Sequence, residues 1–226
     1  AICSGSDLAG SAAIDSLLEE DFHVQLDQSA ETVPDPCDLL VISAAIHEDH
    51  PEALEARRRD ISVIKYAALL GQLMSGRTGV AVAGTHGKST TTSLLGHVLI
   101  LCGIDPSIIV GATCPQIGGG WRCGESDVLV AEACEFDRSF HNFLPRHAVI
   151  LNVEEDHLDV YNSINEIVES FAEFARLLPG DGTLLIQHEL PHRLAITAGL
   201  DCEVQTIGFA PQADWRVQVT DGAGST

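Results

Sequence analysis

Between Val80 and Leu99 the chain reads VAVAGTHGKSTTTSLLGHVL. An apolar run gives way at Gly84 to a polar loop, and a lysine and five hydroxyl residues then open a second apolar stretch. Gly84 and Gly87 leave backbone N–H groups free to face an anion. A helix starting after Gly87 would point its positive end at that anion. Lys88 adds a mobile cation, and it is one of only two lysines in the chain, with Lys65. The Ser89 hydroxyl can ligate Mg²⁺. The segment Gly84, Thr85, His86, Gly87, Lys88, Ser89 and Thr90 is thus read as a phosphate cradle for a magnesium nucleoside triphosphate. The common pattern G-x-x-x-x-G-K-[ST] asks for glycine where this chain has Val82. The plainer alternative is a strand–turn–helix corner with Ser/Thr capping. The placement of one of two lysines at the required point argues against it.

Two further apolar runs end in polar clusters. Val128–Ala131 runs into Glu132, Cys134, Glu135 and Asp137, and Ala148–Val153 runs into Glu154, Glu155, Asp156, His157 and Asp159. Ligands of parallel α/β sheets bind at the carboxyl ends of strands. Ser89, Glu132 and His157 are therefore expected at one edge of a central sheet. Ser89 and Glu132 offer hard oxygens suited to Mg²⁺, and His157 a softer nitrogen better suited to Mn²⁺ at a second position. Lys88, read as a loop residue, is expected to contribute little to the core.

The positioning elements follow from periodicity. Short β-rich runs alternate with helical patterns, clearest where Ile164, Ile167, Val168, Phe171, Phe174, Leu177 and Leu178 recur at helical spacing before PGDG. Expected strands are 1–3, 24–26, 39–43, 63–64, 80–83, 108–110, 128–131, 148–153, 183–186 and 204–207. Expected helices are 11–19, 51–59, 67–74, 89–101, 165–178 and 190–198, with Pro51 as a first helical residue. This alternation predicts an α/β protein with parallel sheet covered by helices on both faces. SGRTG at 75–79 is the expected boundary between a smaller unit, 1–75, and a larger one, 76–226.

Composition bounds the partners. The 226 residues carry a net charge of −21, which argues against nucleic-acid and anionic-membrane partners. No apolar run is long enough to span a bilayer, and the N-terminus lacks the basic-then-apolar pattern of a signal peptide. Seven cysteines without a CxxC pair argue against a disulfide framework or zinc site. Cys37, Cys102, Cys134 and Cys202 are read as buried thiols in a reducing cytoplasm. Arg57–Arg59 are read as a solvated helix end. Trp121 and Trp215 receive no role. Both ends look like cut points.

These motifs resemble the Mur ligase family of peptidoglycan synthesis over nearly the whole chain. SGSD (4–7) and SAAI (43–46) resemble its UDP-sugar loops, GTHGKSTTT its ATP loop, EACEFDRSF (132–140) its E-A-D-E-x-D-x-S-F segment, and NVEEDHLDVY (152–161) its N-x-E-x-D-H-x-D-x-Y segment. The resemblance implies a partial Rossmann-like UDP-binding domain followed by a P-loop ATPase-type domain. It implies substrate contacts at Ser6, Asp7, Ser43, Ala44, Glu135 and Asn152. Lys88 would contact phosphates, Ser89 and Glu132 would hold one Mg²⁺, and His157 would lie at a second metal. Lys88, His157 and Glu132 are the implied catalytic residues, and ATP and Mg²⁺ the cofactors. The implied activity joins L-alanine to UDP-N-acetylmuramate through an acyl phosphate. The absence of any lysine after Lys88 favours this alanine-adding branch, because several sibling ligases carry a carbamylated lysine there. Cys134 stands where the family has Asp, and His188 stands where it often has an Asn-Asp pair near adenine. The glycine-rich first turn and the amino-acid-binding C-terminal domain are not in the sequence. Two other readings stay open: a muropeptide-recycling ligase and an ATP-binding fragment without catalysis.

Overall fold

A computed structural model of the chain describes residues 2–155 and 160–219. It divides into two compact units, residues 1–69 and 70–226. In the first, β1 (Ser4–Ser6), α1 (Ala12–Glu19) and β2 (His23–Gln25) form one βαβ turn, with β1 and β2 parallel. β3 (Leu39–Ile42), α2 (Pro51–Arg58) and β4 (Ser62–Lys65) form another, also parallel. Ser11 caps α1 by accepting from the Ile14 N–H. Pro51 opens α2 as expected, its missing N–H being one the first turn cannot use. β1 lies at Ser4–Ser6, beyond the apolar residues read as strand, because its partner is His23–Gln25. Ile2 stays exposed.

α3 (Tyr66–Met74) spans the division. The second unit then runs β5 (Thr78–Ala83), α4 (Lys88–Leu101), β6 (Ser107–Cys114), β7 (Gly119–Arg122), β8 (Val128–Glu132), β9 (His147–Ile150), α5 (Ile164–Ala175), β10 (Thr183–Gln187), α6 (Arg193–Ile196), β11 (Glu203–Gly208) and β12 (Trp215–Arg216). They build one eight-stranded sheet in the order β12-β11-β10-β9-β5-β8-β6-β7. All neighbours pair in parallel except β6 and β7. The parallel sheet expected from the sequence carries one antiparallel edge, where β6 turns back through Pro115–Ile117 and Gly118 (φ 90°) into β7.

β5 lies between β9 and β8, with Val82 opposite both Val149 and Glu132. From β5 the chain leaves toward β6 on one side, and from β9 toward β10 on the other. Right-handed crossovers in opposite directions put α4 and α5 on opposite faces and make β5/β9 a switch point. The core beneath α5 is aromatic: Phe140 stacks on Phe174 and meets Phe171 edge-on. Ser163 caps α5 by accepting from the Glu166 N–H. The helix ends at Ala175, short of the expected Leu178, because Leu177 and Leu178 bond three residues back in a tightened last turn.

Gly71 of α3 lies so close to the segment after β8 that a Cβ there would fall 1.9 Å from the Asn142 carbonyl oxygen. Backbone cannot yield as a side-chain tip can. Gly71→Ala should lower the urea-unfolding free energy by about 3 kcal/mol, the upper end of overpacking costs. A change under 0.5 kcal/mol would show that the contact is slack.

Candidate functional site

The loop leaving β5 adopts left-handed backbone at both glycines, with φ of 145° at Gly84 and 83° at Gly87. A Cβ at Gly84 would also meet Leu151 and the Asn152 backbone at 3.0 and 3.2 Å. Gly87 is the N-cap of α4 and, among the described residues, no side chain caps the helix. The amides of Lys88, Ser89 and Thr90 thus precede the first intrahelical bond, which Thr91 N makes to Gly87 O. Val82 is fully buried inside β5, so the glycine of the common phosphate-loop pattern would fall in a strand interior, where it only weakens pairing.

Lys88 does not hang free. Its Nζ donates to the carbonyls of Gly84 (2.7 Å) and Thr85 (3.2 Å) and lies 2.8 and 3.0 Å from the two Glu135 carboxylate oxygens. The side chains are only 12% and 3% exposed. The expectation that Lys88 contributes little to the core is corrected on that ground: a nearly buried cation and its counter-charge are structurally coupled. The Tyr161 hydroxyl, itself buried, donates to the Glu135 carbonyl at 2.7 Å and meets Ser170 Oγ at 3.1 Å. Burial raises the Tyr161 pKa, which keeps that hydroxyl a donor.

Ser89 Oγ donates to Glu132 Oε1 at 3.1 Å, joining residues 43 positions apart, and Gly111 N donates to Glu132 Oε2 at 2.8 Å. Asn152 clamps the loop from the β9 side: its Oδ1 accepts from His86 N (2.7 Å) and its Nδ2 donates to His86 O (3.0 Å). Thr85 is buried and its hydroxyl accepts from Glu154 N at 2.9 Å. His86 and Thr90 are exposed. The structure thus brings together the loop, Glu132, Glu135 and Asn152. His157 lies outside the described residues.

The first unit's candidates are anchored at strand ends. The Ser6 hydroxyl donates to the buried carboxylate of Glu52, which also accepts from Thr32. Asp7 Oδ1 accepts from Ala9 N. The Ser43 and Ala44 carbonyls accept from Lys65 Nζ at 3.3 and 3.2 Å. The reading of the thiols is corrected: all seven are free, yet of the four taken as buried only Cys202 is, Cys37 is half-buried, and Cys102 and Cys134 are exposed. Cys134 is exposed as a residue, but local desolvation still raises its thiol pKa. His188 ends at Thr206 Oγ1 (3.3 Å), and Glu189 accepts from Phe209 N and Ala210 N, both at 2.8 Å. Residue patterns missed Glu52, Gly111 and Asn152's clamping role. Lys65 carried a signal in its rarity. A groove of about 380 Å³ near Met74, Arg77, Arg146 and Asp181 lies at the opposite, amino-terminal ends of the strands.

Comparison with known proteins agrees with this geometry. Residues 1–78 match the Mur ligase family catalytic domain and residues 82–225 the Mur ligase middle domain. A UDP-N-acetylmuramate–L-alanine ligase of Clostridium beijerinckii is 40% identical over 212 residues, covering 93% of this chain and 46% of that protein. One of Lachnospira eligens is 42% identical over 209 residues, covering 92% and 46%. The chain spans about half the length of the curated relatives it matches. Among solved structures, a murein peptide ligase of Psychrobacter arcticus superposes with a TM-score of 0.82 at 22% identity, covering 97% of this chain and 51% of that one. A UDP-N-acetylmuramate–alanine ligase of Thermotoga maritima superposes with a TM-score of 0.77 at 24% identity, covering 91% and 46%. With both of its segments matched and its sheet shared, the chain belongs to the Mur ligase family.

Proposed function

We propose that this chain is the UDP-sugar-binding and ATP-binding part of a ligase that joins L-alanine to the carboxylate of UDP-N-acetylmuramate, working in the cytoplasm in peptidoglycan precursor synthesis. The observation that carries it is the meeting of Ser89 with Glu132 beside Lys88 at the uncapped start of α4. The names of the relatives at about 40% identity support the choice of substrates.

A carboxylate resists attack by an amine. Transfer of the ATP γ-phosphoryl group to it gives an acyl phosphate and ADP. The amine of L-alanine then attacks the acyl carbon and phosphate leaves. The chain's part is to hold phosphates against its own acidic field. The α4 amides and Lys88 supply the positive potential. Lys88 is already placed by two carbonyls and Glu135, so little of its side-chain freedom is left to lose when it engages a ligand. Asn152 fixes the loop backbone that carries it.

Ser89 and Glu132 fit Mg²⁺. Two ligands in cis at 2.0–2.1 Å from an octahedral ion stand about 3 Å apart, and these oxygens are 3.1 Å apart. Both are hard oxygens, and Mg²⁺ takes few protein ligands. When bound, Mg²⁺ offsets phosphate charge during transfer. The substrate roles of Ser6, Asp7, Ser43, Ala44, Glu135 and Asn152 and a metal role for His157 belong to the same proposal.

Lys88→Ala should abolish measurable ATP binding in a calorimetric titration, and unchanged affinity would sink the phosphate reading. Lys88→Ala also removes the cation beside the nearly buried Glu135 carboxylate, which should lower stability. The double variant Lys88→Ala/Glu135→Gln should recover most of that loss in urea unfolding yet still not bind ATP. On the full-length gene product, turnover should require L-alanine. Faster turnover with a tripeptide would transfer the protein to the recycling class.

A further inference from the structure

We infer that Gly111 is a positioning residue for the Glu132 carboxylate: its N–H holds one carboxylate oxygen aside while its missing side chain leaves the other free to face Ser89. The inference rests on the proposed role of Glu132 as a metal ligand.

The ladder between β6 and β8 pairs Ser107 with Leu129, Ile108 with Val130 and Ile109 with Ala131, and goes no further. Past that point β8 leans to its other neighbour, where Ala133 N donates to Val82 O. The Gly111 N–H, two residues beyond the last pair, is taken by the Glu132 side chain at 2.8 Å. The two carboxylate oxygens thus have different partners, Gly111 N on Oε2 and Ser89 Oγ on Oε1. Two fixed donors on one carboxylate set its rotation, as outer-shell hydrogen bonds do for metal ligands.

Space explains why position 111 is glycine. A Cβ there would lie 3.1 Å from Oε2, 3.4 Å from Cδ and 3.5 Å from Oε1 of Glu132. The carboxylate would have to give by a few tenths of an ångström, which turns it from its alignment with Ser89. Backbone conformation supplies no reason, because Gly111 is not among the residues with positive φ. Glycine inside a strand even costs stability relative to alanine. The position gives up stability for room beside a charged group, as strand glycines at ligand sites do.

The test is Mg²⁺ dependence of ADP binding by calorimetry, with magnesium and with EDTA, on the 226-residue chain, Gly111→Ala and Glu132→Gln. In Gly111→Ala the Mg²⁺ midpoint should rise roughly tenfold, the lower end for outer-shell changes. Its metal-free ADP affinity should not change, and its melting temperature should not fall. Equal loss of affinity with and without Mg²⁺ would mean a merely structural role and overturn the inference. So would a shifted midpoint in Glu132→Gln with none in Gly111→Ala, which leaves the ligand reading standing. No shift in Glu132→Gln would remove the ligand reading and the inference with it. Should Gly111→Ala fail to fold, the Gly111 amide proton decides by NMR. It should move upfield in Glu132→Gln, where the charged acceptor is lost, and an unmoved resonance would overturn the inference.

Discussion

The glycine loop, its lysine and the acids and amide beside it hang from the carboxyl ends of three parallel strands, and the order β9-β5-β8 is what brings them together. β5 delivers the glycine loop and α4, β8 delivers Glu132 and Glu135, and β9 delivers Asn152 and Glu154. A different neighbour for β5 would scatter residues that lie 43 to 69 positions apart in sequence. The strands themselves are nearly fully apolar, as sheets covered on both faces must be. Burial therefore specifies the strand order, and the strand order specifies the chemistry.

The second constraint is electrostatic. With a net charge of −21, the whole-molecule field opposes any phosphate. The response is local. One lysine is nearly buried against one glutamate and two carbonyls, and an uncapped helix start lies beside it. In water such an ion pair contributes little, but shielding strengthens it and makes removal of one partner costly. Glu135 thus holds the cation in place, and the α4 amides add their positive potential to it.

Much of this was legible because the chemistry falls in contiguous runs. A glycine loop with a rare lysine, and acids directly after apolar strands, can be read without coordinates. What escaped was built from unremarkable residues. β7 and β12 are short edge strands whose tryptophans, Trp121 and Trp215, remain about half exposed, so no alternation marks them. Gly111 lies 21 residues from Glu132, and its contribution is an N–H and an absence of atoms. The clamp of the Asn152 amide on the His86 backbone is a contact that the β5–β9 neighbour relation creates. Lys88 was misjudged for the same reason: its counter-charge is 47 residues away.

The chain beyond Glu135 shows how such a geometry is held. Asp137 and Arg138 both take left-handed backbone, φ 52° each, which costs of order 1–3 kcal/mol per non-glycine residue. Strain of this kind persists only where surrounding contacts over-determine it. Here Arg138 pairs with Glu166 and lies 5.6 Å over the Tyr161 ring. Glu166 is itself held by the Asn162 N–H and side-chain amide at 2.9 Å each. Tyr161 ties the Glu135 carbonyl to α5 through Ser170. The aromatic packing of Phe140 on α5 and the polar ties of Arg138 and Tyr161 together keep the turn closed. The stability of α5 is in this way spent on the placement of one carboxylate on the far side of the loop it anchors.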